Sequence, residues 1–524
     1  MCQVLQFTCF SQQRGPKRGL SLSFFAIPET DLSARFVDIA EIHPMLKILN
    51  YIDGQFSEPG GGSWIPNIDP SRGEQYGLIP DSGEEDIDAA VNAAARSFLA
   101  WSGLRGEDRF KWLMKLATAI ENELDDFAAA ESRDNGKPIS LALAVDIPRA
   151  IRNFEFFASA AVHFASESHF TEGLGINYTL RRPLGVVGCI SPWNLPLYLF
   201  TWKIAPALAT GNTVVAKPSE VTPMTAFLLS KAADKIGFPK GVLNIVHGSG
   251  PKTGSALTAH PDVKAVSFTG GTATGKEIIK VAGSQFKKLS LELGGKNPNI
   301  IFADCDFDEM LKTTVRSSFA NQGQICLCGS RILVEESLYP KFVEAFVQKV
   351  SRMKVGNPSD PETKLGAVVS KSHMEKILSY IELAQQEGGK IECGGNRVQI
   401  EGDLSEGYFI EPTVITGLDQ SCKSNQEEIF GPVVTIDSFK DETDALTKAN
   451  ATPYGLASTV WTENLKKAHR VAERIEAGIV WVNCWLERDL RTPFGGVKNS
   501  GMGREGGFEA MRFFTEPKNV CIKY

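Results

Sequence analysis

Four short apolar runs constrain the architecture most. Leu184-Gly-Val-Val-Gly-Cys-Ile190, Thr213-Val-Val-Ala216, Val242-Leu-Asn-Ile-Val246 and Val263-Lys-Ala-Val-Ser-Phe268 are nearly continuous in apolar character, and each gives way to a loop and a helix-like stretch. A strand covered on both faces has no need to alternate polar with apolar residues, so such runs point to buried parallel strands. Strands alternating with helices predict an α/β fold on a doubly wound parallel sheet, with ligands at the carboxyl ends of the strands. A second alternating block runs from Asn297-Pro-Asn-Ile-Ile-Phe302 through Arg331-Ile-Leu-Val334 to Gly478-Ile-Val-Trp-Val482. Ahead of both, Ile87, Ala90, Val91, Ala94 and Phe98 recur at helical spacing, as do the apolar residues between Phe110 and Leu124.

With 524 residues, 43% hydrophobic and 22% charged, the chain is long enough for more than one domain. Its net charge of −7 offers no footprint for nucleic acid or an anionic membrane surface. No apolar run approaches the roughly 20 residues of a spanning helix. The ten cysteines include no CxxC pair and the seven histidines no HExxH, so no metal site is expected. Scattered thiols fit a reducing compartment, and the expected location is cytoplasmic. Residues 1–46 read as a disordered or spurious leader, with initiation at Met45. Met1 to Pro28 nevertheless carries Arg14, Lys17 and Arg18 and no acid, which leaves a mitochondrial presequence as the alternative.

The chemistry concentrates in two Gly-containing segments, Phe319-Ala-Asn-Gln-Gly-Gln-Ile-Cys326-Leu-Cys-Gly-Ser-Arg331 and Leu291-Glu292-Leu-Gly-Gly-Lys-Asn297. A thiol is a strong nucleophile toward a carbonyl carbon, and the thioester it leaves needs a base-activated water for release. Cys326 and Glu292 would supply both halves.

These two segments resemble the cysteine and glutamate signatures of the NAD(P)-dependent aldehyde dehydrogenase superfamily. Further matches follow in the family's order: Ile190-Ser-Pro-Trp-Asn194, Lys217-Pro-Ser-Glu220, Phe268-Thr-Gly-Gly-Thr-Ala-Thr-Gly275, Glu428-Ile-Phe-Gly-Pro432 and Pro493-Phe-Gly-Gly-Val-Lys498. The resemblance covers about Ile48 to Tyr524. It implies two doubly wound domains and a small β domain: cofactor binding in 47–155 and 183–293, catalysis in 294–504, oligomerisation in 156–182 and 505–524. It implies a homodimer or homotetramer whose small-domain strands extend a neighbouring subunit's sheet.

The resemblance makes Cys326 the nucleophile, with Cys328 as competitor for that role or as a redox partner. It makes the Asn194 amide and the Cys326 N–H the oxyanion donors and Glu292 the general base. Glu505 is left either as a proton relay or as a structural ion pair. For NAD, the implied contacts are Ser191, Trp193, Lys217, Glu220, Gly270, Gly271, Thr272, Gly275, Leu293, Glu428 and Phe430. Gly250 and Gly254 join them from Gly248-Ser-Gly250-Pro-Lys-Thr-Gly254, a loop that alone is a weak dinucleotide signal. Gly271 departs from the family, where a serine is usual. A carboxylate at Glu220 would repel a 2′-phosphate, favouring NAD over NADP.

For the aldehyde, Asp146-Ile-Pro-Arg149, Ser191 to Leu199, Phe319 to Cys328 and Asn483 to Gly496 resemble the branch of the family that oxidises amino- and hydroxymuconic semialdehydes. There the arginines matching Arg149 and Arg488 bind substrate carboxylates, and the asparagine matching Asn194 also touches substrate. The competing reading pairs Arg149 with Asp146 and Arg488 with Glu487 as structural salt bridges. Arg491 reads as structural. The expected reaction is NAD-dependent oxidation of a carboxylated semialdehyde such as 2-aminomuconate 6-semialdehyde. The alternative is a betaine-type or aliphatic aldehyde dehydrogenase, with Trp193 and Trp485 offering cation–π faces. A binding or structural protein on the same fold is the rival from another class, recognisable by a missing NADH signal.

Overall fold

A computed structural model describes Met45–Tyr524, and what the sequence suggests about a leader at residues 1–44 lies outside the described residues. Three of the four apolar runs become strands buried at every position, Val186–Ile190, Thr213–Lys217 and Leu243–Ile245, while Val263–Thr269 exposes only Lys264. Five strands lie parallel in the order Lys288–Glu292, Val263–Thr269, Val186–Ile190, Thr213–Lys217 and Leu243–Ile245. Antiparallel strands close both edges. Gly501–Met502 covers one, and the hairpin of Asn50–Ile52 and Gln55–Ser57 covers the other. Helices cover both faces. Ile87, Ala90, Val91 and Ala94 of the helix Glu84–Ser102 pack on Val186, Val215, Val266 and Leu291. The wholly buried helix Pro196–Ala209 lies in the larger apolar cluster with Val187, Cys189, Val214 and Ala265.

Chain order reverses between Val186–Ile190 and Val263–Thr269. A crevice opens beyond the carboxyl ends of strands at such a switch point. Ser191 to Asn194 leave one of these strands and Gly270 to Thr272 the other.

The second sheet has the order Lys390–Cys393, Thr413–Thr416, Val433–Phe439, Arg331–Glu335, Pro298–Ile301, Ala457–Trp461 and Ile479–Val482, all parallel except the first pair. Only Leu293 to Asn297 separate the carboxyl end of Lys288–Glu292 from the amino end of Pro298–Ile301. That short connector brings the outlet of one sheet to the inlet of the other. A third sheet joins Thr515–Lys523, Gly175–Pro183 and Ser168–Thr171, all antiparallel.

Three element positions differ from the expected boundaries. Leu46–Lys47 is already a strand, paired with Gly77 and Leu78, so regular structure begins inside the segment read as leader. The helix Ile147–His163 runs through residue 156, because Phe154, Phe157, Ala158 and Ala160 continue one buried stripe. Gly501–Met502 joins the first sheet, where it pairs with Leu291 and Glu292 and covers an otherwise open edge.

Candidate active site

After the helix Phe307–Phe319 the backbone turns left-handed at three successive residues, Asn321 (φ 52°), Gln322 (φ 55°) and Gly323 (φ 70°). Only glycine fits the third position, since a Cβ there would lie 2.0 Å from the Gly431 carbonyl oxygen. Left-handed Asn and Gln cost on the order of 1–3 kcal/mol each and persist only where surrounding contacts overdetermine them. Here Asn321 donates to the Asn194 carbonyl (2.9 Å), Gln322 donates to the Ala367 carbonyl (2.8 Å), and Gln324 accepts from the Val369 N–H (3.0 Å). This rigid turn presents Cys326 partly exposed while Ile325, Leu327 and Cys328 are buried.

Asn297 clamps the loop from below, its amide donating to the carbonyls of Cys326 (2.7 Å) and Cys328 (2.9 Å). Among the described residues, the Cys326 N–H donates to no protein acceptor. The Asn194 amide donates to the Gln324 carbonyl at 2.9 Å, which places it against the same loop. Burial pushes the Cys326 thiol above its ordinary range, with help from the carboxylates of Glu428 and Glu292 and against the Arg488 guanidinium. Burial also pushes Cys328 up, to about 12.

Glu292 ends its strand only 3% exposed, and neither carboxylate oxygen has a hydrogen-bond partner. Burial raises this carboxyl well above the usual range, and the nearby Glu505 charge adds to the effect. Glu505 is held differently. Its Oε1 lies 2.6 Å from the buried Lys203 ammonium and accepts from the Ser267 hydroxyl at 3.1 Å, so the ion-pair geometry is the one present. Its Oε2 is buried and unpartnered.

The salt bridges considered for the two arginines do not form. Asp146 pairs with Lys137 at 2.6 Å, and among the described residues no carboxylate lies within salt-bridge distance of Arg149, Asp489 acting on it only from farther off. Arg149 Nε and Nη2 are buried and unpartnered, with the guanidinium 5.4 Å from the Tyr198 ring and 5.7 Å from Trp202. Arg488 donates to the Tyr198 hydroxyl at 2.5 Å and lies 4.0 Å over Phe494. Both line an open cavity of about 660 Å³ with Arg152, Phe156, Glu487, Asp489, Leu490 and Arg491, four arginines against two acids. Arg491 is spent on Asp489 at 2.6 Å, an exposed pair.

A second set of charges gathers at the switch-point crevice. Lys217, at a strand's carboxyl end, sits 3.0 Å from Glu220 Oε2, while Glu220 Oε1 accepts from the Gly250 N–H at 3.0 Å. A Cβ at Gly254 would lie 3.7 Å from the Lys217 stem, so the Gly248 to Gly254 loop packs on this pair. Burial alone would raise Glu220, but Lys217 and the backbone donors outweigh it and hold the carboxyl below its ordinary range.

Gly270 donates to the Glu292 carbonyl at 3.0 Å, and Gly271 precedes the helix Thr272–Gly283, where a Cβ on Gly271 would meet nothing within 4 Å. Ser191, Thr269 and Thr272 hold buried, unpartnered hydroxyls. Gly275 is packed under Leu293, whose side chain lies 2.6 Å from where a Cβ would sit. Glu428 accepts from the Gly295 N–H at 2.8 Å, and burial raises its carboxyl to about 7. Trp193 meets Phe430 edge-on at 5.2 Å and His373 at 5.1 Å. A bare helix N-terminus suits phosphate, and an acid beside a strand end suits ribose hydroxyls. These residues therefore fit a dinucleotide.

Sequence reasoning did not single out Lys137, Tyr198, Lys203, Asn321 or Gln324 as site residues. No local spacing marks them, although several lie inside the quoted motifs.

The match to known proteins agrees with this geometry. The model of the aldehyde dehydrogenase family matches residues 56–520. A 2-aminomuconic semialdehyde dehydrogenase from Danio rerio is 52% identical over 91% of this chain and 99% of its own length. The Homo sapiens protein of the same name is 50% identical over 93% and 100%. A Staphylococcus aureus betaine aldehyde dehydrogenase, solved in complex with NAD+, superposes with TM-score 0.88 at 39% identity, covering 91% of this chain and 94% of that one. A thiol on a rigid loop, an unpaired buried carboxylate beside it and a crevice fitted for a dinucleotide carry the same conclusion: this chain belongs to the aldehyde dehydrogenase family.

Proposed function

We propose that this enzyme oxidises a carboxylated, unsaturated semialdehyde of the 2-aminomuconate 6-semialdehyde type to the carboxylic acid, with NAD as oxidant. The observation that carries the substrate reading is Arg149, whose buried Nε and Nη2 donors have no acceptor. An orphaned buried guanidinium is costly, and a planar carboxylate is the group that best satisfies its fork. Arg488 lines the same cavity, so a di-acid would meet two forks. The names of the relatives at 50–52% identity point the same way.

The Cys326 sulfur attacks the aldehyde carbon and opens the carbonyl π bond onto oxygen, while the thiol proton passes to water. Developing negative charge on the carbonyl oxygen is met by the Asn194 amide and the free Cys326 N–H. Lys217, Glu220, the N-terminus of the Thr272–Gly283 helix and Glu428 would hold NAD, which when bound would supply the hydride acceptor. Glu292 then takes a proton from water, which adds to the Cys326 thioester and releases the acid. An unpaired carboxylate with a raised pKa suits that role, since it is more basic than an ordinary one and no donor need be displaced from either oxygen.

The betaine-type alternative is disfavoured by the same arginines. They already cover the faces of Tyr198, Trp202 and Phe494 and would repel a cationic aldehyde. Comparing 2-hydroxymuconate semialdehyde, betaine aldehyde and propanal in an NADH-linked assay tests the proposal. The dianionic substrate should have the highest kcat/KM, and preference for betaine aldehyde would reverse the assignment.

By the same reading, residues 47–155 with 183–293 bind the cofactor, 294–504 carry the nucleophile, and 156–182 with 505–524 mediate assembly into a dimer or tetramer. The third sheet supports assembly, because Ser168–Thr171 is an open edge and Phe170, Ile522 and Tyr524 are exposed. Light scattering reads the oligomer directly. Among the described residues, no helix is long and apolar enough to cross a membrane. Cytoplasmic location is the favoured reading and mitochondrial import the alternative, with cell fractionation to decide.

A further inference from the structure

Behind the Asn194 turn lie three charges that the reaction does not use. Glu131, Lys137 and Asp146 are each 0% exposed. The Lys137 ammonium sits 2.6 Å from Asp146 Oδ2, 3.5 Å from Glu131 Oε1 and 3.2 Å from the Asn194 main-chain oxygen. Each contact reaches a different part of the site. Asp146 immediately precedes the helix Ile147–His163, which bears Arg149 one turn on. Glu131 Oε2 accepts from the Leu197 N–H at 3.3 Å, just beyond Asn194. The Asn194 oxygen also accepts from Asn321, in the left-handed turn leading to Cys326.

Stability alone does not account for this arrangement. Replacing a buried ionic cluster by packed apolar side chains is often neutral or stabilising, because desolvating the ions costs so much. Burial raises the carboxyls of both Glu131, to about 7, and Asp146, while Lys137 opposes the rise. Asp146 Oδ1 is left unpartnered. What an ammonium does that an apolar side chain cannot is hold several acceptors at fixed distances from one point.

We propose that Lys137 is a positioning residue: its ammonium locks the Asn194 main chain to the start of the Arg149 helix, so that one buried cation sets the reach between the oxyanion donor and the carboxylate-reading arginine. This inference rests on the roles given above to Asn194 and Arg149. Specificity for aldehydes with a carboxylate at a set distance from the carbonyl follows from that fixed reach.

The test is the double variant Lys137→Met with Asp146→Asn, which removes both members of the closest pair and leaves Glu131, whose Oε2 still accepts from the Leu197 N–H, as the one remaining carboxyl of the three. Enzyme that still melts cooperatively and binds NAD is assayed per active site, counted by its NADH burst. With propanal, kcat should fall about ten- to a hundredfold, as for a small misplacement of catalytic groups. The kcat/KM preference for 2-hydroxymuconate semialdehyde over propanal should also fall, by about fivefold or more. A merely structural role would lower the melting temperature and the number of active sites, but not turnover per site. Unchanged turnover and preference would overturn the inference.

Should the double variant not fold, Asp146→Asn alone loosens the Arg149 side while keeping the ammonium. An unchanged substrate preference in that variant would overturn the inference equally. Asn194→Ala, run in parallel, separates the two claims. If it costs nothing, the oxyanion reading itself fails; if it is crippled while the Lys137 variants are not, only the positioning role fails.

Discussion

On the cofactor side of Cys326, charges are held in satisfied contacts: Lys217 with Glu220 at 3.0 Å, Glu220 with the Gly250 N–H at 3.0 Å, Glu428 with the Gly295 N–H at 2.8 Å. On the aldehyde side two of them are not, among the described residues. Glu292 has no partner on either oxygen, and Arg149 has none on two of its nitrogens. A ligand that many hydroxyls and backbone donors can grip does not require the protein to leave charge stranded. A base that must take a proton, and a fork that must read a carboxylate, do require it. The cost of an unpaired buried group is several kcal/mol in principle, and it is tolerated where substrate or water completes the set.

The sharpest way to break this contrast is at the thiol. Cys326→Ser should lower aldehyde oxidation by about 10⁴-fold or more in an NADH-linked assay, as loss of a nucleophile does elsewhere. Cys328→Ser should leave the reaction running, and the reverse outcome would move the nucleophile two residues along.

Glu292→Gln comes next. It should cut steady-state turnover by about 10²–10³-fold while leaving a burst of NADH in rapid-mix traces, since acylation precedes the step that needs the base. A lost burst would place Glu292 earlier in the reaction.

Arg149→Ala should raise KM for 2-hydroxymuconate semialdehyde by about ten- to a hundredfold, in line with loss of a charge-assisted hydrogen bond, and leave propanal almost untouched. Equal effects on both substrates would remove the contrast between the two sides.

The smallest effect is on stability. Because the folded pKa of Glu292 lies above its unfolded value, the native chain keeps a proton that the unfolded chain has released. Stability therefore falls as pH rises from the ordinary carboxylate range through the raised pKa. Glu292→Gln removes that loss. The variant should melt above the parent, by a margin that widens as pH rises above the ordinary carboxylate range and levels off once the raised pKa is passed.

Much of the site could be read from residues close in sequence. The Gly-containing segments around Cys326 and Gly250 are local and show in the sequence, whereas the left-handed turn at Asn321 to Gly323 does not. The strands were legible for the same reason, since an unbroken apolar run such as Val186–Ile190 needs cover on both faces wherever it lies. The fates of Arg149 and Asp146 were not legible. Three residues apart, they look like a natural pair, yet Lys137 takes Asp146 and leaves Arg149 free. Glu505 likewise stood open between relay and ion pair until Lys203 was found 2.6 Å away, more than 300 positions upstream.

What the sequence determined by itself is the inventory and its local setting: a parallel α/β scaffold, a thiol and a carboxylate in Gly-containing segments, and Asn194 in a motif that follows an apolar run. Short-range sterics and hydrophobic periodicity decide such features. Only the tertiary structure decided which charges are paired and which are left open. Pairing depends on which distant elements the sheet order brings together, and on how completely they exclude the water that would otherwise partner every charge equally.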